Sequence, residues 1–178
     1  MKMFFSGGCK NGKSGTAEDC ARVLAGDRPL YYLATMIPHD DEDRERIARH
    51  VASRAGKGFI TVECGRHIPD ALQGIDASGC FLLDAVTSLL NNEMFHDGIT
   101  DFAAGERVAR ELCQLAERVG SIVFVSDYIY SDAERYDEFT ESYRQALALC
   151  DRALAEVCDT VVEINLGIPI LYKGVMPL

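Results

Sequence analysis

Two kinds of segment alternate along the chain: short, continuous apolar runs and longer segments with apolar residues at helical spacing. The apolar runs predict strands at 2–6, 30–35, 59–64, 80–85, 121–126, 160–166 and 169–172. The helical spacing predicts helices at 14–24, 40–55, 68–73, 89–95, 106–119 and 137–157. Strands that are apolar throughout favour an α/β fold with a mostly parallel sheet and helices on both faces. Since no linker or repeat interrupts the pattern, residues 1–178 are expected to form a single domain.

Composition and charge exclude several classes of protein. Of 178 residues, 48% are apolar and 26% charged, which is typical of a globular chain. With 18 basic and 28 acidic residues the net charge is −10, so we expect no nucleic-acid partner. No apolar run approaches the ~20 residues of a membrane span, and no secretion signal is visible. A cytoplasmic protein is expected, whose seven cysteines, without a CxxC pair, are free and mostly buried thiols.

A phosphate-binding loop follows the first predicted strand. The segment Gly7 to Ser14 reads GGCKNGKS and matches GxxxxGK[ST] at every fixed position. Its glycines let backbone N–H groups point inward at phosphate oxygens, and the following helix presents its positive end to the same anion. Lys13 is then expected to bind the terminal phosphates, and Ser14 to bind a Mg²⁺ ion. The alternative is a chance glycine-rich turn.

An acidic residue ends the strongly apolar run Phe81-Leu82-Leu83. Asp84 stands where a second metal-holding carboxylate of a P-loop protein is expected, after a buried strand. The alternative is that Asp84 caps the next helix.

A histidine lies among arginines on the highly charged segment 40–55. His50 is close in sequence to Arg46, Arg49 and Arg54. Neighbouring positive charges favour the neutral, nucleophilic imidazole, and the arginines can bind the phosphates of a nucleotide. An ordinary charged surface helix explains the same pattern.

Taken in order, SGGCKNGKS, YYLAT, RIARHVASR, TVE and LLDAVTSLLNN resemble the bifunctional adenosylcobinamide kinase / adenosylcobinamide-phosphate guanylyltransferase family. The resemblance implies a P-loop fold like a recombinase core, with Mg²⁺ as cofactor and GTP and ATP as substrates. It implies phosphorylation of adenosylcobinamide and then transfer of GMP through a GMP–histidine intermediate at His50. It also implies a homo-oligomer, in some members a trimer.

The resemblance further assigns residues to the nucleotide. Lys13 and His50 are implied to be catalytic, and Ser14 and Asp84 to hold the metal. Glu63 would bind a guanine edge or a ribose hydroxyl, although a surface glutamate at a strand end explains it too. GTP contacts are implied at Gly7, Gly8, Cys9, Lys10, Asn11, Gly12, Lys13, Ser14, Thr35, Met36, Ile37, Val51, Ala52, Ser53, Arg54, Glu63 and Asp84.

Two segments of the C-terminal half depart from the family pattern. Asp127-Tyr128-Ile129-Tyr130 replaces an N-E-V-G motif, and the segment 143–152 keeps only Arg144 of the usual polar residues. The acceptor or one of the two activities is therefore open. The alternatives to the bifunctional enzyme are a divergent P-loop kinase or nucleotidyltransferase with another acceptor, and a non-catalytic GTP-binding regulator.

Overall fold

Strands and helices alternate through the computed structural model, which describes residues 1–177. The strands are β1 (Lys2–Gly7), β2 (Leu30–Ala34), β3 (Phe59–Glu63), β4 (Cys80–Asp84), β5 (Phe95–His96), β6 (Ile99–Thr100), β7 (Ser121–Asp127), β8 (Thr160–Asn165) and β9 (Ile168–Lys173). The helices are α1 (Lys13–Ala25), α2 (Asp41–Arg54), α3 (Val86–Met94), α4 (Ala104–Arg118) and α5 (Glu138–Val157).

Most of the predicted elements are present within a few residues of their expected bounds. The short helix predicted at 68–73 is present as a 3-10 helix at Ile68–Leu72, with Pro69 in its first positions. The β5–β6 hairpin was not predicted, since strands of two residues leave no periodic signal.

The order of the main sheet is β3-β2-β4-β7-β1-β8-β9. All neighbouring strands are parallel except β8 and β9. Strand β7 therefore lies between β1, which leads into the phosphate loop, and β4, which ends at Asp84. The carboxyl ends of these three strands meet at one edge of the sheet, and Gly7 is level with Asp127.

Helices cover both faces of the sheet. Met3 and Phe5 pack with α1 on one face, whereas Phe4 packs with α3, α4 and α5 on the other. Every residue from 122 to 125 in β7 is fully buried, which explains why this strand does not alternate. Truncating a central side chain such as Phe124 to alanine would cost about 3–5 kcal/mol of stability.

Helix α2 buries almost none of its surface, because Arg54 is its one buried residue. Asp40 caps the helix by accepting a hydrogen bond from the Asp43 N–H at 2.8 Å. Acidic residues fill its first turn and Arg54 its last, the arrangement that the helix dipole favours. The helix thus forms from local signals and is held to the sheet mainly at its end.

Within residues 1–177 the cysteines form no disulfide: five are buried, Cys113 is half-buried and Cys9 is exposed. The prediction of free, mostly buried thiols is confirmed. None of the helices in this part of the chain combines the length and apolarity that crossing a membrane requires.

Candidate active site

The phosphate loop joins β1 to the first turn of α1. Gly12 has φ of 92°, a conformation that side chains rarely adopt, and directly precedes the helix. A Cβ on Gly7 would collide with the Asn11 amide nitrogen and would lie 2.6 Å from the Ile164 carbonyl oxygen. Both glycines are therefore required by the backbone path that forms the loop.

Side chains within the loop hold its shape. The Asn11 amide donates to the Ile164 carbonyl, and its Oδ1 accepts from the Lys13 N–H at 3.3 Å. The buried Lys13 ammonium donates to the Gly8 carbonyl at 3.1 Å and forms an ion pair with Asp127. The lysine is thus directed back over the loop.

Asp84 ends β4 beside this loop and is only partly exposed. Burial raises the pKa of Asp84, against the lowering effects of the His50 charge, of hydrogen bonds from the Ser14 and Tyr32 hydroxyls, and of Lys13. The residue at the cap position of α3 is Ala85, and no side chain caps that helix. The helix-cap alternative for Asp84 is therefore wrong.

A cleft of about 920 Å³ opens over the phosphate loop. It is bounded by the loop, the ends of β2 and β4, and helix α2. The predicted nucleotide residues that line it are Cys9, Lys10, Lys13, Ser14, Thr35, Met36, Ile37, His50, Arg54, Glu63 and Asp84. Gly7, Gly8, Asn11 and Gly12 form the loop beneath it.

Three of the predicted nucleotide residues are not part of this cleft. Val51, Ala52 and Ser53 are exposed on α2 and do not line it. Ser53 instead donates its hydroxyl to the His50 carbonyl at 2.9 Å. The structure therefore brings His50 and Arg54 to the cleft but not the residues between them.

Thr35 lines the cleft without exposing its side chain. Its hydroxyl donates to the Ala85 carbonyl and accepts from the Ala85 N–H, both at 2.9 Å. The Asn92 amide donates to the carbonyls of Thr35 and Gly65, at 2.7 and 2.8 Å. Thr35 and Asn92 thus join the ends of β2 and β4 to the segment after β3.

Positive charge is concentrated on the α2 side of the cleft. His50 lines it together with Arg44, Arg46 and Arg49. Lys13 lies across from this group in the loop, so the cleft presents cations from two sides although the chain carries a net charge of −10. A triphosphate is the ligand class that such an arrangement fits.

The predicted donors for a metal ion lie in the loop and at the end of β4. Residues 1–177 contain no group of three His, Cys, Asp or Glu side chains that could hold a metal by themselves. The Ser14 hydroxyl and the Asp84 carboxylate line the same cleft. One hydroxyl and one carboxylate fit Mg²⁺, which takes its other ligands from phosphates and water.

Comparison with known proteins agrees with the resemblance noted above. The family model "Cobinamide kinase / cobinamide phosphate guanyltransferase" (CobU) matches residues 3–171. The chain belongs to this family. It is 30% identical over 175 residues to the bifunctional adenosylcobalamin biosynthesis protein CobP of Pseudomonas aeruginosa, covering 98% of both chains. The predicted kinase and guanylyltransferase activities of cobalamin biosynthesis are thereby confirmed at the level of the family.

Solved structures show the fold. The PH0250 protein of Pyrococcus horikoshii OT3 matches with a TM-score of 0.54 at 10% identity, over 98% of this chain and 86% of its own. The KaiC-like protein PH0186 of the same organism matches with a TM-score of 0.52 at 12% identity, over 97% and 78%. The predicted P-loop fold with a mostly parallel sheet is confirmed.

The segments that depart from the family pattern turn mostly away from the cleft. The Tyr128 hydroxyl donates to Glu163 at 2.9 Å, and the Tyr130 hydroxyl donates to Asp151 at 2.8 Å. Asp127 alone of the segment 127–130 lines the cleft.

Arg144 has a structural role that its sequence position did not reveal. Its buried guanidinium donates to the carbonyls of Ile129 and Glu134, both at 3.2 Å. It also donates to the carboxylates of Asp132 and Glu141, at 2.7 and 2.8 Å. Arg144 therefore fixes the loop between β7 and α5.

Among the residues that sequence reasoning missed, two contact predicted site residues directly. Tyr32 is buried and donates to the Asp84 carboxylate at 3.3 Å, and Asp127 pairs with Lys13. For Asp127 a signal existed, because a polar residue at the end of a buried parallel strand faces the ligand edge of the sheet. For Tyr32 there was none, since an aromatic residue in an apolar strand is indistinguishable from core.

Proposed function

We propose that the cleft carries out both reactions of the family on one nucleotide-binding site. In the first, a nucleoside triphosphate phosphorylates the aminopropanol hydroxyl of adenosylcobinamide. In the second, GMP passes from GTP to that phosphate through His50, giving adenosylcobinamide-GDP. The observation that carries the proposal is that His50 and the phosphate loop line the same cleft, with Asp84 beside both.

The phosphate loop binds the triphosphate. Backbone N–H groups from Gly7 to Ser14 and the start of α1 hold the phosphate oxygens, and Lys13 moves from Asp127 to the terminal phosphates. The side chains that line the base and ribose end of the cleft include Met36, Ile37 and Glu63. Glu63 is exposed at the end of β3, free to accept from a guanine edge or a ribose hydroxyl.

Ser14 and Asp84 would hold Mg²⁺ against the phosphates. When bound, the ion supplies positive charge that offsets the negative charge developing on the phosphate oxygens. Tyr32 keeps the Asp84 carboxylate turned toward the loop through its hydrogen bond.

His50 is the nucleophile of the second reaction. Its imidazole nitrogen attacks the α-phosphorus of GTP, a P–N bond forms, and the bond to pyrophosphate breaks. The cobinamide phosphate then attacks the same phosphorus and releases the imidazole. Arg46 and Arg49 flank His50 and stabilise the added negative charge.

The altered segments leave adenosylcobinamide as the acceptor we favour. Tyr128 and Tyr130 are hydrogen-bonded to Glu163 and Asp151 and do not line the cleft, so of the altered residues 127–130 only Asp127 changes its surface. For an enzyme with another acceptor, we would expect more of the altered side chains to face the nucleotide.

Incubation with GTP and Mg²⁺ in the absence of an acceptor tests the proposal. Intact-mass measurement should show an acid-labile gain of one GMP in the wild type and none in His50→Ala. His39→Ala is the matched control, since His39 is exposed just before α2 and does not line the cleft. Adding adenosylcobinamide phosphate should discharge the adduct. Retention of GTP binding without any adduct would instead favour a kinase-only or regulatory protein.

We also propose the setting in which the enzyme works. Its free thiols suit a reducing compartment, the cytoplasm, and residues 1–178 act as a single nucleotide-binding domain. The family resemblance supports a homo-oligomer, with a trimer the first form to test by light scattering. The exposed apolar side chains of Leu166, Ile168 and Tyr172 at the sheet edge support such an assembly.

A further inference from the structure

Two phenylalanines form a stacked pair on the surface, beside the first residues of α4 and α5. The ring centroids of Phe102 and Phe139 are 5.9 Å apart, and the two rings are inclined to each other by 29°. The two residues are nevertheless 50% and 53% exposed. Large apolar side chains that are exposed together, and not scattered singly, are typical of a binding surface.

The core does not enclose this pair, although the helices hold it in place. Tyr143, one turn further along α5, packs against the core, whereas Phe102 and Phe139 stand outside it. Close to the pair α4 and α5 are in tight contact, since a Cβ on Gly105 would lie 2.6 Å from the Cβ of Ala146. The two rings are therefore presented on a rigid support, which lowers the entropy cost of binding a ligand.

Tyr143 connects the pair to the nucleotide cleft. Phe139 and Tyr143 lie on the same face of α5, about 6 Å apart along the helix axis. The Tyr143 hydroxyl donates to the Thr87 carbonyl at 2.9 Å, and Thr87 lines the cleft together with Ser88. The aromatic pair thus lies at the edge of the sheet that carries the cleft, just beyond the start of α3.

The acceptor of the proposed kinase reaction needs more surface than the cleft provides. A cleft of about 920 Å³ has the size that a single small ligand occupies, and the nucleotide takes this place. Adenosylcobinamide reacts only through the hydroxyl at the end of its aminopropanol arm, and this arm is joined to a broad corrin ring. The ring therefore has to rest on the surface beside the cleft while the arm enters it.

Charge favours the acceptor over a second copy of this chain as the ligand of the pair. Adenosylcobinamide carries a net positive charge, because the corrin and the adenosyl group neutralise cobalt(III) only in part. The segment around Phe139 is mainly acidic, with Asp132, Glu134, Asp137 and Glu138 against Arg135. Such a surface attracts a cationic ligand and repels a second copy with its net charge of −10.

We propose that the Phe102–Phe139 pair is the docking surface for the corrin ring of adenosylcobinamide, an inference that rests on the function proposed above. The ring lies against the two phenylalanines, and the acidic residues nearby complement its charge. The aminopropanol arm extends past Thr87 and Ser88 to the terminal phosphate of the nucleotide. The pair thus binds the acceptor without taking part in the chemistry of either reaction.

Alanine variants of the pair separate acceptor binding from nucleotide chemistry. In Phe102→Ala and Phe139→Ala we expect KM for adenosylcobinamide to rise about tenfold or more and kcat to stay within about twofold of wild type. Formation of the GMP adduct from GTP alone should be unchanged, which also shows that the variants fold. Phe139→Tyr keeps the ring and should keep the wild-type KM.

Val23→Ala is the matched control. Val23 is as exposed as Phe139, but it belongs to α1, which covers the other face of the sheet. Its truncation should alter neither KM for adenosylcobinamide nor the rate of adduct formation.

Three outcomes would overturn the inference. An unchanged KM for adenosylcobinamide in both alanine variants excludes the pair from acceptor binding. An equal loss of phosphorylation and of adduct formation makes the pair a structural support of the whole site. A smaller assembly in light scattering, with KM unchanged, assigns the pair to contacts between copies of the chain. Failure of the proposed function is recognised separately, in the wild type, by the absence of the adduct or of phosphorylated acceptor.

Discussion

The guanidinium of Arg54 lies over the ring of Tyr32, with Cζ 3.4 Å from the ring centroid. Both residues are buried, and the Tyr32 hydroxyl donates to the Asp84 carboxylate at 3.3 Å. Arg54 ends α2, the helix of His50, and Tyr32 belongs to β2. One stacked pair thus connects the helix of the nucleophile with the carboxylate of the metal position.

Removing the Arg54 guanidinium should loosen this connection. Arg54→Met keeps an apolar stem but loses a cation–π contact, which is worth up to about 2 kcal/mol when desolvated. We expect the rate of GMP adduct formation to fall about tenfold, because α2 has no other buried residue to hold His50 in place. Time-resolved intact mass measures this rate. Arg22→Met, an exposed arginine on α1, is the control, and a wild-type rate in Arg54→Met would contradict the prediction.

The Lys13–Asp127 pair predicts an effect on nucleotide affinity. Asp127 competes with the phosphates for Lys13 and places a negative charge beside them. Asp127→Asn should therefore lower the Kd for GTP, by about three- to tenfold, the equivalent of ~0.7–1.4 kcal/mol. Titration calorimetry with Mg²⁺–GTP would measure it, with Asp27→Asn as the charge-matched control. Weaker binding in Asp127→Asn would mean that the pair prepares Lys13 for the nucleotide instead of competing for it.

Replacing Thr35 should lower the free energy of unfolding, because its hydroxyl forms buried hydrogen bonds within the protein. Thr35→Val deprives the Ala85 N–H and carbonyl of their buried partner, which costs about 1–3 kcal/mol. Urea unfolding should show a loss of this size. Thr61→Val makes the same substitution at an exposed position of β3 and should change stability by less than about 0.5 kcal/mol. Equal effects of the two substitutions would rule out the buried hydrogen bonds as the cause.

Asp151 predicts a pH-dependent contribution to stability. Burial raises the pKa of Asp151 to about 6 from an ordinary value of 3.8, with a further rise from the charge of Asp127. Between these two values the folded state holds a proton that the unfolded state has released. The free energy of unfolding therefore falls as the pH rises through this window, by about 2–3 kcal/mol in total.

Asp151→Asn removes the titrating group and keeps an acceptor for the Tyr130 hydroxyl. Relative to wild type, the variant should gain about 1–2 kcal/mol of stability at pH 7.5, and this gain should disappear toward pH 4. Urea unfolding of both proteins at pH 4.5, 6 and 7.5 measures the difference. A difference that stays constant across these pH values would argue against titration of Asp151.

Local sequence patterns predicted most of the strands and helices and several residues of the site. The apolar runs define the strands, and GGCKNGKS defines the phosphate loop because its glycines are required by the local backbone. Both the presence of helix α2 and its exposure to solvent could be predicted, since its cap and its charged residues lie within its own sequence. Asp84 and His50 were found because each stands out against its immediate neighbours.

What only the tertiary structure decided are the contacts between residues far apart in the chain. Lys13 and Asp127 are separated by 114 positions and meet because β7 inserts between β1 and β4. Arg54 meets Tyr32 because α2 returns its last turn to the sheet, and Val51 to Ser53 consequently face outward. The order of the strands and the docking of the helices depend on the apolar surface buried over the whole core, to which each residue contributes a little. They therefore cannot be predicted from any local pattern of residues.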